Sequence, residues 1–228
     1  MKIKNIQKKY IYISPGGFLF PYLLGISHFI KNNYDLTNYN FIGSSAGSWC
    51  SIYLASNLDL DINNKYLFDK YNDLFENKNL FYKWNHVGFF LKNEFNNLIT
   101  DYTFIKNNKV EISLSELNLP YSIENKLINS YNNIDELLDL CILSSYIPFL
   151  SGNKIYKLND KIIFDGAFSN INNDNKLIIL NITNDMFNKK FYFKDVLGIS
   201  NNNLYKLYKE GYKDAINNKI LIDNYLLF

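Results

Sequence analysis

The sequence contains no arginine: all 24 basic side chains among its 228 residues are lysine. A bidentate guanidinium clamp on phosphate or carboxylate is therefore excluded from any mechanism. Histidine is nearly as scarce, with only His28 and His86, so no imidazole base can come from beyond residue 86. The two cysteines, Cys50 and Cys141, each lie in an apolar helical pattern. They read as buried, unpaired small hydrophobes in a reducing compartment. Charge of either sign is not in excess: the formal net charge is +2, which gives no electrostatic case for nucleic acid. No stretch approaches 18 uninterrupted apolar residues, so no membrane span is expected. The basic start at residues 1–9 runs into Tyr10-Ile11-Tyr12-Ile13 and breaks at Ser14-Pro15-Gly16-Gly17. That is the pattern of a strand and not of a signal peptide, and a cytoplasmic location is expected. No His/Cys/Asp cluster has metal-ligand spacing, and neither G-x-x-x-x-G-K nor G-x-G-x-x-G occurs; no metal or cofactor is expected.

What is present is a globular composition, 47% hydrophobic and 17% aromatic, with length for one full core. Without repeats or a linker, residues 1–228 read as a single domain. Tyr10–Ile13 forms a buried first strand, and Pro21 opens a helix carrying Leu23, Leu24, Ile26, Phe29 and Ile30. Asn40-Phe41-Ile42 is a second strand, followed by a helix from Ala46. This β-α-β-α order predicts an α/β fold with a mostly parallel sheet and helices on its faces. Residues 63–77 read as an amphipathic helix, and residues 110–114 alternate as a strand. Residues 80–91 are the most aromatic run, read as a helix pair packed on the sheet. Its other reading is a lid or a peripheral membrane contact through Phe81, Trp84, Phe89 and Phe90. A helix starts near Asn133 with acidic residues in its first turn. Residues 154–164 form a hairpin turning at Asn159-Asp160, Leu177–Ile182 is a buried strand, and a helix runs from Asn203 to Ile216.

Chemistry concentrates in three glycine-bearing segments, which hold five of the ten glycines. Gly43-Ser44-Ser45-Ala46-Gly47 has the spacing G-x-S-x-G, in which a serine sits on a tight strand-to-helix turn. Gly43 and Gly47 remove the Cβ atoms that so sharp a turn would crowd, and the helix start favours developing negative charge. Ser45 needs a base. In the usual α/β-hydrolase order histidine comes last, which this chain cannot provide. His28 falls inside a helix pattern as a satisfied helix residue, and His86 has no supporting acid nearby. Asp165, after Ile162-Ile163-Phe164 and before Gly166, is presented at a strand end, where open α/β sheets carry functional groups. Alone it would read as an Asp-Gly turn. Beside G-x-S-x-G, and with no usable histidine, it becomes the candidate base, its pKa raised by desolvation. Gly16-Gly17-Phe18 after the first strand offers backbone N–H groups for an oxyanion, the other reading being a simple βα turn.

These segments together resemble the patatin-like phospholipase family. Residues 14–19 resemble its glycine-rich oxyanion loop, the elbow around Ser45 matches its nucleophile, and Ser144-Ser145-Tyr146-Ile147-Pro148-Phe149 resembles the segment before its D-G-G/A box. Asp165-Gly166-Ala167 matches that box, and Gly211-Tyr212-Lys213-Asp214-Ala215 resembles the closing helix. Many members have three glycines and an arginine in the oxyanion loop; here Pro15 and Phe20 stand at two glycine positions. The resemblance implies a three-layer α/β/α sandwich and a Ser45–Asp165 dyad acting on lipid acyl esters. In that scheme Gly16, Gly17 and Phe18 form the oxyanion hole, while Gly43, Gly47 and Gly166 support the elbow. It also implies a phospholipid or acylglycerol as substrate partner, with no protein partner evident. Acyl transfer on the same dyad and an inactive lipid-binding protein are the alternatives.

Overall fold

The computed structural model describes residues 8–118, 120, 122–171, 176–199 and 203–227; the basic start at residues 1–7 lies outside them. Among the described residues seven strands form one sheet: β1 (Lys9–Ile13), β2 (Tyr39–Ser44), β3 (Val110–Asn118), β4 (Ser122–Ile128), β5 (Tyr156–Leu158), β6 (Lys161–Asp165) and β7 (Leu177–Ile182). Their order is β5-β6-β3-β2-β1-β7, with β4 also paired to β3. β7, β1, β2 and β3 run parallel, whereas β4 and β6 run antiparallel to β3. The helices are α1 (Phe20–Asn33), α2 (Ala46–Ala55), α3 (Leu60–Phe75), α4 (Leu80–Leu98), α5 (Thr103–Lys106), α6 (Ile134–Ser144), α7 (Phe193–Val196), α8 (Leu204–Asn217) and α9 (Lys219–Leu226). They flank a mixed, mostly parallel sheet in the three-layer α/β/α arrangement.

The β-α-β-α start follows the sequence pattern. α1 and α2 are buried along most of their length, as expected of helices that are apolar nearly all round. β3 was expected to alternate, yet residues 110–116 are all buried, because this strand lies inside the sheet and is covered on both faces. Residues 80–91 were expected to form a helix pair; they belong to one 19-residue helix, α4. The hairpin turns at Asn159 and Asp160, both with positive φ (50° and 65°), the backbone of a two-residue hairpin loop. α8 lies across α1 at Gly25 and Gly211. A Cβ at Gly25 would come within 2.1 Å of the Tyr208 carbonyl, and one at Gly211 within 2.1 Å of the Tyr22 carbonyl. Among the described residues, no helix is long and apolar enough to cross a membrane.

Two registers position the functional end of the sheet. Ile13 pairs with Gly43 on one side and with Ile182 on the other, so β1, β2 and β7 end level with one another. Along β3, β4 covers one edge continuously from Ile112 to Asn118. The other edge is shared: β2 pairs as far as Ser44↔Ser113, and β6 begins at Asp165↔Leu114. β2 and β6 run in opposite directions, so their C-terminal ends meet head to head on consecutive residues of β3.

Candidate active site

Ser45 follows the last residue of β2 and Asp165 is the last residue of β6, so the shared edge of β3 brings them together across 120 positions of sequence. The Ser45 hydroxyl donates to Asp165 Oδ2 at 2.8 Å, and the pair is buried. Ser45 has φ 52° and ψ −124°, a strained conformation for a residue with a side chain, of the kind concentrated at functional turns. The neighbouring glycines permit it. A Cβ at Gly43 would lie 2.4 Å from Ser48 Cα, and one at Gly47 would lie 2.2 Å from the Ile13 carbonyl oxygen; real Cβ atoms do not pack so closely. Gly166, next to Asp165, is pressed in the same way against the Ser113 carbonyl.

Asp165 is held at both oxygens. Oδ2 accepts the Ser45 hydroxyl, and Oδ1 accepts the N–H of Ala167 at 2.8 Å in the 3-10 turn Gly166–Phe168. Its own N–H donates to the Tyr146 carbonyl at 2.8 Å. Burial pushes its pKa up to about 7, while the hydrogen bonds from Ala167 and Ser45 pull the other way. Desolvation wins because, among the described residues, no cation stands beside it to stabilise the carboxylate. A carboxyl titrating near neutrality can take up and return a proton at working pH.

Ser45 opens into a narrow, apolar pocket. Gly17, Phe18 and Ala46 stand around the serine, and Phe20, Trp49, Phe68, Val87, Phe90 and Leu91 make the walls apolar. Gly17 and Phe18 start a 3-10 turn, and Ala46 is the first residue of α2. First-turn N–H groups have no acceptor within their own helix, so these three residues can present donors beside Ser45. Gly16 stands behind them, its Cα side facing Leu23 and Asn184. Ala46 was not foreseen as a donor; its signal was present, since the residue after an elbow serine opens the helix.

The histidines are elsewhere. His28 is buried in α1, with Nε2 2.9 Å from Asn32 and 3.2 Å from Asp61, and Nδ1 meeting the Tyr208 hydroxyl. Burial holds its pKa below the ordinary value. His86 is exposed, and its Nδ1 sits 2.8 Å from the Tyr82 carbonyl. Cys50 and Cys141 are free and buried, and burial raises both thiols. Of the four aromatics singled out on α4, Trp84 and Phe90 turn inward to the pocket, whereas Phe81 and Phe89 are exposed.

The sequence model of the patatin-like phospholipase family matches residues 13–174, a span that holds the elbow, Asp165 and β3 between them. The chain belongs to the patatin-like phospholipase family. No curated protein and no solved structure matches it. The family is one of lipid acyl hydrolases, and the apolar pocket of this patatin-like domain is in keeping with that class. Ser144, at the end of α6, is a further feature of the patatin-like site. Its hydroxyl accepts the Ser45 N–H at 2.8 Å and donates to the Ser113 carbonyl at 2.7 Å. A segment beyond the matched span packs against the pocket wall: the Trp84 indole donates to the Leu197 carbonyl at 3.1 Å, and Phe18 meets Trp84 edge to face.

Proposed function

We propose that this protein is a serine-dependent lipid acyl hydrolase of phospholipase A or lysophospholipase type. The observation that carries the reading is the 2.8 Å hydrogen bond from Ser45 Oγ to Asp165 Oδ2, buried at the mouth of an apolar pocket. Asp165 removes the hydroxyl proton as Ser45 Oγ attacks the ester carbonyl of a fatty-acyl lipid. The N–H groups of Gly17 and Phe18, joined by that of Ala46, receive the charge that develops on the carbonyl oxygen. The tetrahedral intermediate expels the alcohol, which takes the proton from Asp165 and leaves an acyl-Ser45 ester. Water then gives a proton to Asp165, attacks the acyl carbon, and the fatty acid departs as the proton returns to Ser45. The acyl chain occupies the pocket between α3 and α4; glycerophospholipids, lysophospholipids and acylglycerols all present such a chain.

A fluorophosphonate probe followed by mass spectrometry of lipid products tests this. The wild type is expected to be labelled at Ser45 and to release fatty acid from a mixed lipid extract. Ser45→Ala should do neither, and Asp165→Asn should label far more slowly. A folded wild type that resists the probe would overturn the hydrolase reading in favour of lipid binding without catalysis. Acyl esters of added glycerol among the products would replace hydrolysis by transfer.

A further inference from the structure

We infer that the outer side of α4 and the α7 segment is the surface by which this protein docks on a lipid bilayer. The inference rests on the proposed function for its substrate, though its binding test does not depend on catalysis. α4 has two differently used sides. Trp84 and Phe90 point into the pocket, whereas Phe81 and Phe89 are 60% and 55% exposed. The hydrogen bond from the Trp84 indole to the Leu197 carbonyl joins α4 to the α7 segment. That segment lies over the loop beside Ser45, where a Cβ on Gly17 would come within 2.5 Å of the Val196 carbonyl oxygen. From its start, Tyr192 and Phe193 project into solvent with 70% and 74% exposure.

Single exposed apolar side chains are ordinary on soluble proteins. Four aromatics on two joined segments, one lining the apolar pocket and the other packed on the Gly17-Phe18 loop at its edge, are a different arrangement. Lys190 and Lys194 stand exposed in the same segment, with the Lys194 ammonium 5.5 Å from the Tyr192 ring centroid. Aromatic rings that seat among headgroups, flanked by lysines that meet lipid phosphates, are the composition of an interfacial contact. The complement is a bilayer with anionic lipid. An acyl chain leaving such a bilayer along the inner side of α4 would pass to the pocket without crossing bulk water, where each exposed methylene is costly.

Flotation of the full-length Ser45→Ala protein with vesicles separates binding from turnover. It should float with phosphatidylcholine vesicles, and more strongly when phosphatidylglycerol is included. The triple variant Phe81→Ser/Tyr192→Ser/Phe193→Ser should lose about tenfold or more in partition coefficient. In the Ser45 background, the same triple change should leave hydrolysis of a soluble short-chain ester unchanged and lower the rate on vesicle lipid. Should the triple variant misfold by circular dichroism, Lys190→Glu/Lys194→Glu serves instead, and its binding to phosphatidylglycerol vesicles should fall by a similar factor. Equal flotation of variant and parent, or no flotation of the parent, overturns the inference. So does a dimer in sedimentation velocity that the triple variant dissolves, since the face would then pair with a second copy. Failure of Ser45 to react with fluorophosphonate while the Ser45→Ala protein still floats would sink the hydrolase reading alone.

Discussion

Ser144 accepts the backbone N–H of Ser45 at 2.8 Å and donates its own hydroxyl to the Ser113 carbonyl at 2.7 Å, so one buried hydroxyl ties the strained elbow to the central strand. Ser144→Ala leaves a buried N–H without a partner, at a cost of about 1–3 kcal/mol. It also lets Ser45 drift from Asp165. A fall in kcat of roughly tenfold to a hundredfold with little change in KM is expected, together with slower fluorophosphonate labelling. A lower Tm with an unchanged labelling rate would reduce Ser144 to a purely structural role.

The raised pKa of Asp165 makes both activity and stability depend on pH, in opposite directions. Activity requires the carboxylate, so kcat/KM should rise with pH through an inflection near the folded value of about 7. Stability follows the other sign. The unfolded carboxyl titrates near its ordinary 3.8, so between that value and about 7 the native state binds more protons than the unfolded one. The stability linked to this group is complete below pH 4 and is lost as pH rises through about 7. Asp165→Asn keeps an acceptor for Ala167 and carries no charge. At pH 8 it should be more stable than the wild type by up to roughly 4 kcal/mol, with the difference vanishing in acid. Denaturant midpoints at pH 4 and pH 8 measure it.

Filling the pocket should change which chains are cleaved. Val87 is part of the apolar wall of the pocket beside Ser45. Val87→Phe adds bulk there without touching the dyad. The ratio of rates on long-chain to short-chain nitrophenyl esters is expected to drop by about tenfold, since each lost methylene contact is worth on the order of 1 kcal/mol. An unaltered ratio would show that the acyl chain takes another path.

At the α1–α8 crossing, Gly211→Ala places a methyl 2.1 Å from the Tyr22 carbonyl oxygen. The helices must separate, and a loss of about 1–3 kcal/mol or more follows. Gly211 lies away from Ser45, so the folded fraction should keep its kcat. Thermal unfolding and active-site titration distinguish the two effects.

Much of this architecture is legible in the chain because local and global signals agree. The elbow glycines, the Asn159-Asp160 turn and the cap of α6, where Asn133 accepts the N–H of Glu136 at 2.9 Å, are each decided within a few residues. β4 escaped because Ser122–Ile128 is polar and largely exposed; only its pairing with β3 makes it a strand. The dual use of α4 was hidden because aromatic residues occupy both its inner and outer sides, and composition does not separate them. Ser144 looked like one more small residue near a helix end, and its role depends on a strand 31 positions away. The alignment of Asp165 with Ser45 is likewise a matter of register, which no local pattern encodes.

That register ties the Ser45–Asp165 pair to completion of the sheet. Ser45 and Asp165 become neighbours only after β2 and β6 have both docked on one edge of β3. Closing loops of that size is among the slower events of chain assembly. A slip of β6 by a single residue would turn Asp165 to the opposite side of the sheet. An unfinished or misregistered chain therefore has Ser45 without Asp165 beside it, and the chemistry proposed for the pair stays switched off until the central strand is fully paired.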